Sequence, residues 1–193
     1  SRVGSSAVPG HYEEQQLCGV LDKLRVPLLV HQGNTLFEEH QLPFARGNLP
    51  RHFTPFRQQL EMLSVNTPLP APRQLPPPPK GLSFPLQPAS KTIPHPAFPM
   101  RGGGSEGQRR LRHWMFERRR VTDYKQTRNY LDGLEGSSVL SPWLANGALS
   151  VRRVAQQLFA FEETDLKNES TRWLYQELLW REFFHWRAIN DGP

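Results

Sequence analysis

Apolar residues recur at helix and strand spacing near the start of the chain. One face of a helix over residues 13–24 carries Leu17, Val20, Leu21 and Leu24. The short apolar run over residues 26–31 predicts a buried strand, and together the two elements are typical of the end of a β-α-β unit. One parallel strand needs partner strands at its edges and cover on both faces. We therefore expect this chain to be an internal fragment, with the rest of a Rossmann-like parallel sheet upstream of it.

The pattern over residues 102–193 predicts an all-α domain. Ser141 and Ser150 stand at N-cap positions before helical stretches. Pro142 suits a first helical turn, and Gly147 suits a helix end. Helices are predicted over residues 106–120, from Ser141 to Gly147, from Ser150 to about residue 161, and over residues 170–189. Short connections between four helices are typical of a helical domain.

Residues 66–101, between these two parts, are rich in proline, which removes amide donors and excludes helix. The segment is predicted to be an extended, polyproline-like interdomain linker. Its run Leu75–Pro79 also has the character of a ligand for a proline-binding module. The predicted fold class is therefore mixed. Residues 1–65 end an α/β domain, residues 66–101 form the linker, and residues 102–193 begin an all-α domain.

Composition narrows the classes of partner. The 193-residue chain has a net charge of +6, which favours an anionic partner such as nucleic acid. Its only cysteine, Cys18, excludes an internal disulfide framework and a cysteine-based zinc site, and it favours a reducing, intracellular compartment. The sequence has no HExxH motif and no Cys/His pair with ligand spacing, so no metal site is expected. No apolar run is long enough to span a bilayer, so no membrane partner is expected.

A basic stretch lies in the helix predicted over residues 106–120. Its arginines are Arg109, Arg110, Arg112, Arg118, Arg119 and Arg120. They either contact phosphate groups or form a solvated face.

A hydroxyl-rich loop is the first candidate binding site. Ser137 and Ser138 lie in a loop that leads into the helix beginning at Ser141, where free backbone amides favour an anion. Upstream, Tyr124 adds a phenol and Arg128 adds a cation. Together these residues could hold the pyrophosphate of a dinucleotide. The same pattern also suits an ordinary capped helix after a polar loop.

The last predicted helix carries a second candidate site. One of its faces, at spacing i, i+3, i+4 and i+7, presents Glu177, Trp180, Arg181 and Phe184. Such a face suits a cavity in which a planar ligand stacks on Trp180 and hydrogen-bonds to Glu177. The alternative is an intrahelical pair between Glu177 and Arg181, with Trp180 half-buried. Other faces of this helix can pack in the core through Leu178, Leu179 and Phe183.

Five motifs, in this order, resemble the photolyase/cryptochrome family. They are Gly102-Gly103, the Tyr-Lys-x-Thr-Arg-Asn motif of residues 124–129, the serine-rich motif of residues 138–150, Asn-x-Ser-Thr at residues 168–171, and the Glu-Leu-Leu-Trp-Arg-Glu-Phe-Phe motif of residues 177–184. Upstream, residues 33–36, 42–44 and 53–57 are similar to the strand exit and following helix of the DASH branch.

The resemblance implies an N-terminal α/β antenna domain and a C-terminal all-α domain that binds FAD. The implied FAD-binding residues are Tyr124, Ser137, Ser138, Val139, Leu140, Ser141 and Arg181. Glu177 and Trp180 would be the catalytic pair that faces a flipped pyrimidine dimer, and Arg128 would join them in binding DNA. Methenyltetrahydrofolate is the candidate antenna of the complete protein.

The implied function is light-driven repair of cyclobutane pyrimidine dimers in single-stranded DNA by a monomeric protein, through electron transfer from excited reduced flavin. One alternative is a signalling photoreceptor with the same cofactor, and another is a flavin-free helical domain that binds nucleic acid. The compartment would be the cytoplasm, or an organelle or nucleus in a eukaryote. The chain alone is expected to be inactive in repair and to bind FAD weakly or not at all.

Four residues depart from the family pattern. Gly104 stands where the family has Glu, and Tyr130 where glycine is usual in the DASH branch. Val151 replaces a common proline, and Val139 stands where Lys or Arg is frequent. The change at Val139 removes a positive charge close to the expected phosphate site.

Overall fold

A short β-α-β unit begins the computed structural model. The structure describes residues 3–6, 12–25, 27–31, 33–45, 47–77, 81, 94–96 and 99–191. Strands β1 (Val3–Ser6) and β2 (Leu28–His31) pair in parallel, and helix α1 (Tyr12–Leu24) lies between them in the chain. The predicted helix and strand are therefore present, although residue 26 lies outside the described residues.

We expected every partner strand of β2 to lie upstream of this chain. That expectation is wrong, because its partner β1 lies within the chain. The β1 sequence Val-Gly-Ser-Ser contains a single apolar residue, so its pattern gave no strand signal. The predicted apolar face of α1 is partly buried: Leu21 is buried and Leu17 half-buried, whereas Val20 and Leu24 are exposed. The wider Rossmann-like sheet stays a prediction.

Helix α2 (Phe53–Leu60) links the first part of the chain to the helical part. Phe53, Phe56 and Leu60 lie on one face at helical spacing and are buried, and the helix packs against α7 (Glu169–Asp191). Pro55 falls in the first turn, where a missing amide donor costs nothing. The sequence periodicity did not predict this helix; the family resemblance did.

The remaining elements form a helical body around α7. They are α3 (Gly104–Arg112), a π-helical turn (His113–Glu117), a 3₁₀ turn (Arg120–Asp123), α4 (Tyr124–Thr127), α5 (Ser141–Ala145) and α6 (Val151–Thr164). A further 3₁₀ turn, Glu39–Gln41, lies earlier in the chain. The helices predicted from the serine caps and in the last segment are confirmed, with ends that move by one to three residues.

The predicted basic helix is shorter than expected. It continues from α3 into the π-helical turn and ends before Arg119, whose positive φ of 52° reverses the chain. This turn places Val121 and Tyr124 in the core, so tertiary packing overrides the helical propensity of the arginine-rich sequence. At α5, Leu140 and not Ser141 occupies the N-cap position, while Pro142 lies in the first turn as predicted.

The core lies between α7 and the elements that surround it. Helix α7 contributes Leu178, Leu179 and Phe183, as the sequence predicted. Among the described residues, the largest fully buried side chains include Trp114, Phe37, Phe56, Phe161, Met115 and Leu158. Gly107 permits close packing of α3, because a Cβ there would lie 2.9 Å from Cγ of Trp143. Residues from Leu36 to Leu60 thus share one contiguous hydrophobic cluster with the helical body.

Where the structure describes the proline-rich segment, at residues 66–77, 81, 94–96 and 99–101, it contains neither helix nor strand. Leu69 and Leu75 are exposed there. The rest of the run that resembles a proline-module ligand, from residue 78 onward, lies outside the described residues. The role of this segment as a linker and the three-part domain division remain predictions.

Candidate functional site

One pocket brings together most of the candidate site residues. Helices α4, α5 and α7 and the loop before α5 surround a space of about 440 Å³. Its lining residues are Tyr124, Ser137, Ser138, Val139, Leu140, Ser141, Leu144, Ala145, Leu174, Glu177, Leu178 and Arg181. All seven residues predicted to bind the cofactor are in this set, together with Glu177. Arg128 and Trp180 are the two predicted site residues that do not line it.

Tyr124 is held at one side of the pocket by α4. Its ring meets Trp114 edge to face, with the ring centroids 5.5 Å apart. Burial, and secondly the negative charge of Glu177, raise the pKa of Tyr124 to about 12, while Arg128 acts in the opposite direction. The phenol therefore stays protonated at neutral pH, and its O–H can donate to an anionic ligand.

Arg110 holds the loop that carries the pocket serines. Its guanidinium donates to the carbonyls of Leu134, Ser137 and Ser138 and to the carboxylate of Glu135. The bond from Nε to the Ser138 carbonyl is 3.0 Å long. The sequence placed Arg110 among phosphate-contacting or solvated arginines, but the structure buries it as a support of the loop. No local spacing signals this role, because its partners lie 24 to 28 residues away.

Val139 has a left-handed backbone in the same loop, with φ of 54°. A β-branched residue rarely adopts this conformation, because its side chain crowds the backbone. The strain lies directly in the pocket lining, where such strain is often tied to function.

Glu177 is bound by two donors from outside the pocket. Nη1 of Arg128 and Nε1 of Trp173 each lie 2.9 Å from the same oxygen, Oε1. The alternative of an intrahelical pair with Arg181 is therefore wrong, since Arg128 takes that place. Trp173 was missed by the sequence analysis, although it precedes Glu177 by four residues on one helix face.

Arg181 lines the pocket, and its guanidinium donates hydrogen bonds to Asn34, which lies in the loop after β2. Nη1 donates to the Asn34 carbonyl at 2.7 Å, and Nη2 donates to Oδ1 of Asn34 at 2.9 Å. A weaker contact of 3.4 Å joins Nη2 to the Leu144 carbonyl. These bonds fix the guanidinium at the pocket edge, and burial lowers the pKa of Arg181.

Glu182, the next residue, turns away from the pocket and is fully buried. Its carboxylate accepts bonds from the Leu36 amide at 2.8 Å, the Phe37 amide at 3.2 Å and Nε1 of Trp186 at 2.7 Å. Burial raises the pKa of Glu182 to about 7, although these three donors and the nearby Arg181 oppose the shift. The sequence analysis also missed this residue, because its backbone partners lie about 145 positions earlier in the chain.

Trp180 lies beside the pocket and stacks on α2. Its ring lies 3.6 Å from the Phe53 ring, centroid to centroid, at an interplanar angle of 13°. Phe184 stacks more loosely, at 5.5 Å, and is exposed. The indole is thus half-buried, as one of the two sequence alternatives stated.

The other arginines of the basic stretch form ion pairs on the surface. Arg119 pairs with Asp165, and Arg118 and Arg120 both lie within 4 Å of Glu135. Arg109 and Arg112 pair with Glu106 and Glu117. Within the described part of the chain, no group of three metal-ligating side chains occurs, and no helix is long and apolar enough to cross a membrane.

The chain is 38% identical over 185 residues to a protein named Cryptochrome DASH from Vibrio parahaemolyticus. This alignment covers 95% of the chain. The chain is a homologue, over this part of their length, of proteins named Cryptochrome DASH. The aligned part of the chain spans 41% of the length of this relative. No protein-family model matches the chain.

Solved structures agree with this relationship. A Synechocystis cryptochrome superposes with a TM-score of 0.85 at 34% identity, over 97% of the chain and 41% of the cryptochrome. A bacterial class III photolyase from Agrobacterium tumefaciens superposes with a TM-score of 0.67 at 19% identity, over 100% of the chain and 41% of the photolyase. The second likeness concerns the fold alone. The Synechocystis structure and the Vibrio relative confirm the resemblance that the sequence motifs indicated.

Proposed function

We propose that this chain supplies the first half of the FAD pocket, and part of the lesion-facing surface, of a light-dependent DASH-type photolyase. Its substrate would be cyclobutane pyrimidine dimers in single-stranded DNA. One observation carries the proposal. The seven residues assigned to FAD by motif come from α4, a loop, α5 and α7, and all of them line one pocket.

The chemistry of the pocket fits a flavin dinucleotide. Tyr124, Ser137, Ser138 and Ser141 offer hydroxyl groups to phosphate oxygens. The apolar side chains of Leu140, Leu144, Leu174 and Leu178 offer a surface to a planar ring system. The volume of about 440 Å³ suits part of a dinucleotide, so we place the rest of the FAD site in the region of the relatives that this chain does not span.

Each residue has a distinct role in this proposal. Tyr124 donates its phenolic proton to a phosphate oxygen, and Arg181 holds positive charge beside the cofactor. Glu177 accepts hydrogen bonds from a flipped dimer, Trp180 contacts the dimer with the part of its ring that Phe53 leaves uncovered, and Arg128 offers positive charge to the DNA. When bound, FAD supplies the light-driven electron transfer that splits the cyclobutane ring.

The same proposal assigns the rest of the chain. Residues 1–65 would end an α/β antenna domain, residues 66–101 would cross between domains, and residues 102–193 would begin the FAD-binding domain. The parallel pairing of β1 and β2 supports the first assignment. We further propose a monomeric intracellular protein whose antenna is methenyltetrahydrofolate.

The test uses the full-length protein, purified and irradiated with blue light in the presence of an oligonucleotide that contains one thymine dimer. We expect a flavin absorption spectrum and light-dependent loss of the dimer, measured by chromatography, with a dark sample as control. Trp180→Ala should weaken dimer binding and repair while the flavin content stays constant.

Flavin binding without any light-dependent repair would contradict the repair function and favour the signalling photoreceptor. A Trp180→Ala protein that repairs as fast as the unaltered protein would remove Trp180 from the site. The chain alone should retain little FAD after gel filtration, and stoichiometric retention would contradict our division of the pocket.

A further inference from the structure

Glu177, Arg128 and Trp173 form a closed cluster behind the pocket. Nε1 of Trp173 and Nη1 of Arg128 both reach Oε1 of Glu177, at 2.9 Å each. The Arg128 guanidinium also lies over the Trp173 ring, with Cζ 4.8 Å from the ring centroid. Each member of the cluster therefore contacts the other two. Such a cation–π contact stabilises the position of the guanidinium over the ring.

The two bonds leave the carboxylate with one free side. Both donors end on Oε1, and among the described residues no hydrogen bond reaches Oε2. Rotation of the carboxyl group would break both bonds, so the pair fixes the direction in which Oε2 points. Glu177 lines the pocket, whereas Trp173 and Arg128 do not. The cluster therefore holds Oε1 of Glu177 and leaves Oε2 available to a ligand in the pocket.

Arg128 has one donor that Glu177 does not use. Its Nε is buried and has no hydrogen-bond partner within the part of the chain that the structure describes. A buried donor without a partner destabilises the fold. Trp173 holds this guanidinium in place through its ring.

We propose that Trp173 is a positioning residue for lesion recognition. It acts through Glu177 and Arg128: its indole N–H fixes Oε1 so that Oε2 faces the base edge, and its ring fixes the guanidinium. The chemical class recognised is a nucleobase edge that offers N–H donors, as the pyrimidine dimer does. This inference rests on the proposed repair function.

The test measures the dissociation constant of the full-length protein for a single-stranded oligonucleotide with one thymine dimer. Trp173→Phe keeps an aromatic ring beneath Arg128 but removes the donor to Glu177. We expect the affinity for the dimer to fall about three- to tenfold, with unchanged FAD content and unchanged affinity for undamaged DNA. The matched control is Trp186→Phe, which removes an equivalent indole donor from Glu182, away from the pocket. It should leave the affinity for the dimer unchanged.

A double-mutant cycle distinguishes positioning from a direct or structural role. Because Trp173 acts through Glu177, adding Trp173→Phe to Glu177→Ala should weaken binding no further than Glu177→Ala does alone. Additive losses would overturn the inference, since Trp173 would then contact the lesion itself or support the fold. Loss of FAD in Trp173→Phe would overturn it as well.

The outcomes also separate this inference from the proposed function. If Glu177→Ala weakens dimer binding and Trp173→Phe does not, the positioning role is wrong and the proposed site stands. If Glu177→Ala itself binds the dimer as well as the unaltered protein does, the proposed lesion site is wrong, and the role of Trp173 falls with it.

Discussion

Two glutamates on the same helix, five residues apart, have opposite roles in this molecule. Glu177 is about one-third exposed at the pocket, and two side chains bind one of its oxygens. Glu182 is fully buried and accepts bonds from two backbone amides and an indole, which tie α7 to residues 36 and 37. The first carboxylate keeps an oxygen available to a ligand, and the second has both oxygens occupied. Residue type and helix position alone do not separate a binding group from a structural one.

The two regions around α7 differ in the same way. On the pocket side, hydroxyl groups and a strained loop surround open space. On the closed side, away from the pocket, Glu182 and Arg152 bond to residues 35–38 and hold the helical body against the earlier part of the chain. We therefore expect substitutions on the closed side to reduce stability, and substitutions on the pocket side to change binding.

The largest effect should come from Glu182→Ala. The substitution leaves the Leu36 and Phe37 amides and the Trp186 indole without their acceptor in the core, and we expect a loss of about 3–5 kcal/mol in the free energy of unfolding. Urea denaturation measures this. Glu177→Ala is the matched control, and it should cost less than about 1 kcal/mol because its ion pair is partly exposed. Equal losses of unfolding free energy in the two variants would contradict the distinction between a structural Glu182 and a ligand-facing Glu177.

The second prediction concerns pH. Burial raises the pKa of Glu182 to about 7 in the folded protein, from an ordinary value of 4.5. Between these values the folded state holds a proton that the unfolded chain releases, so stability falls as pH rises from about 4.5 to 7 and then levels off. The contribution is about 3 kcal/mol in total, at 1.36 kcal/mol per pKa unit.

Glu182→Gln isolates this contribution, because other titrating groups cancel in the difference between the two proteins. The difference in unfolding free energy, measured by denaturation at several pH values, should change across the window from pH 4.5 to 7 in the direction given above. A difference that is independent of pH across this window would show that Glu182 does not titrate in it.

Local pattern predicted α1, α3, α5, α6 and α7 but neither α2 nor α4, and it also predicted which residues of α7 enter the core. Leu178, Leu179 and Phe183 are buried as expected, because helical spacing is set within a few residues. The motif order gave the family and therefore the residues that line the pocket, although chemistry alone left the serine loop ambiguous. Trp173 was also within reach, since its spacing of four from Glu177 is a local signal.

The remaining features depend on contacts between distant positions. The roles of Arg110 and Glu182 come from partners about 24–28 and about 145 residues away, which no periodicity encodes. The break at Arg119 follows from the need to bury Val121 and Tyr124. Strand β1 has too few apolar residues to be seen without its partner β2.

Arg152→Ala should have a smaller effect on the closed side. The Arg152 side chain is 12% exposed, donates from Nε to the Thr35 carbonyl at 2.9 Å, and pairs with Glu38 at 3.1 Å. Its loss should cost about 1–2 kcal/mol in the free energy of unfolding, measured by urea denaturation. The exposed neighbour Arg153 provides the control, and Arg153→Ala should change stability by less than about 0.5 kcal/mol. Similar costs for both would mean that the bonds to residues 35 and 38 do not stabilise the fold.

The smallest effect on stability is expected at the pocket, where a substitution should stabilise the fold and not destabilise it. Val139→Gly relieves a left-handed backbone at φ of 54° in a β-branched residue, a strain of about 1–2 kcal/mol. The added freedom of glycine in the unfolded chain offsets part of this, so we expect a net gain of at most about 1 kcal/mol in thermal or urea denaturation. Val65→Gly, at a half-buried valine without positive φ, should instead lose stability. A loss at Val139 equal to that at Val65 would show that the loop carries no strain, and the pocket would then not differ from the closed side in this respect.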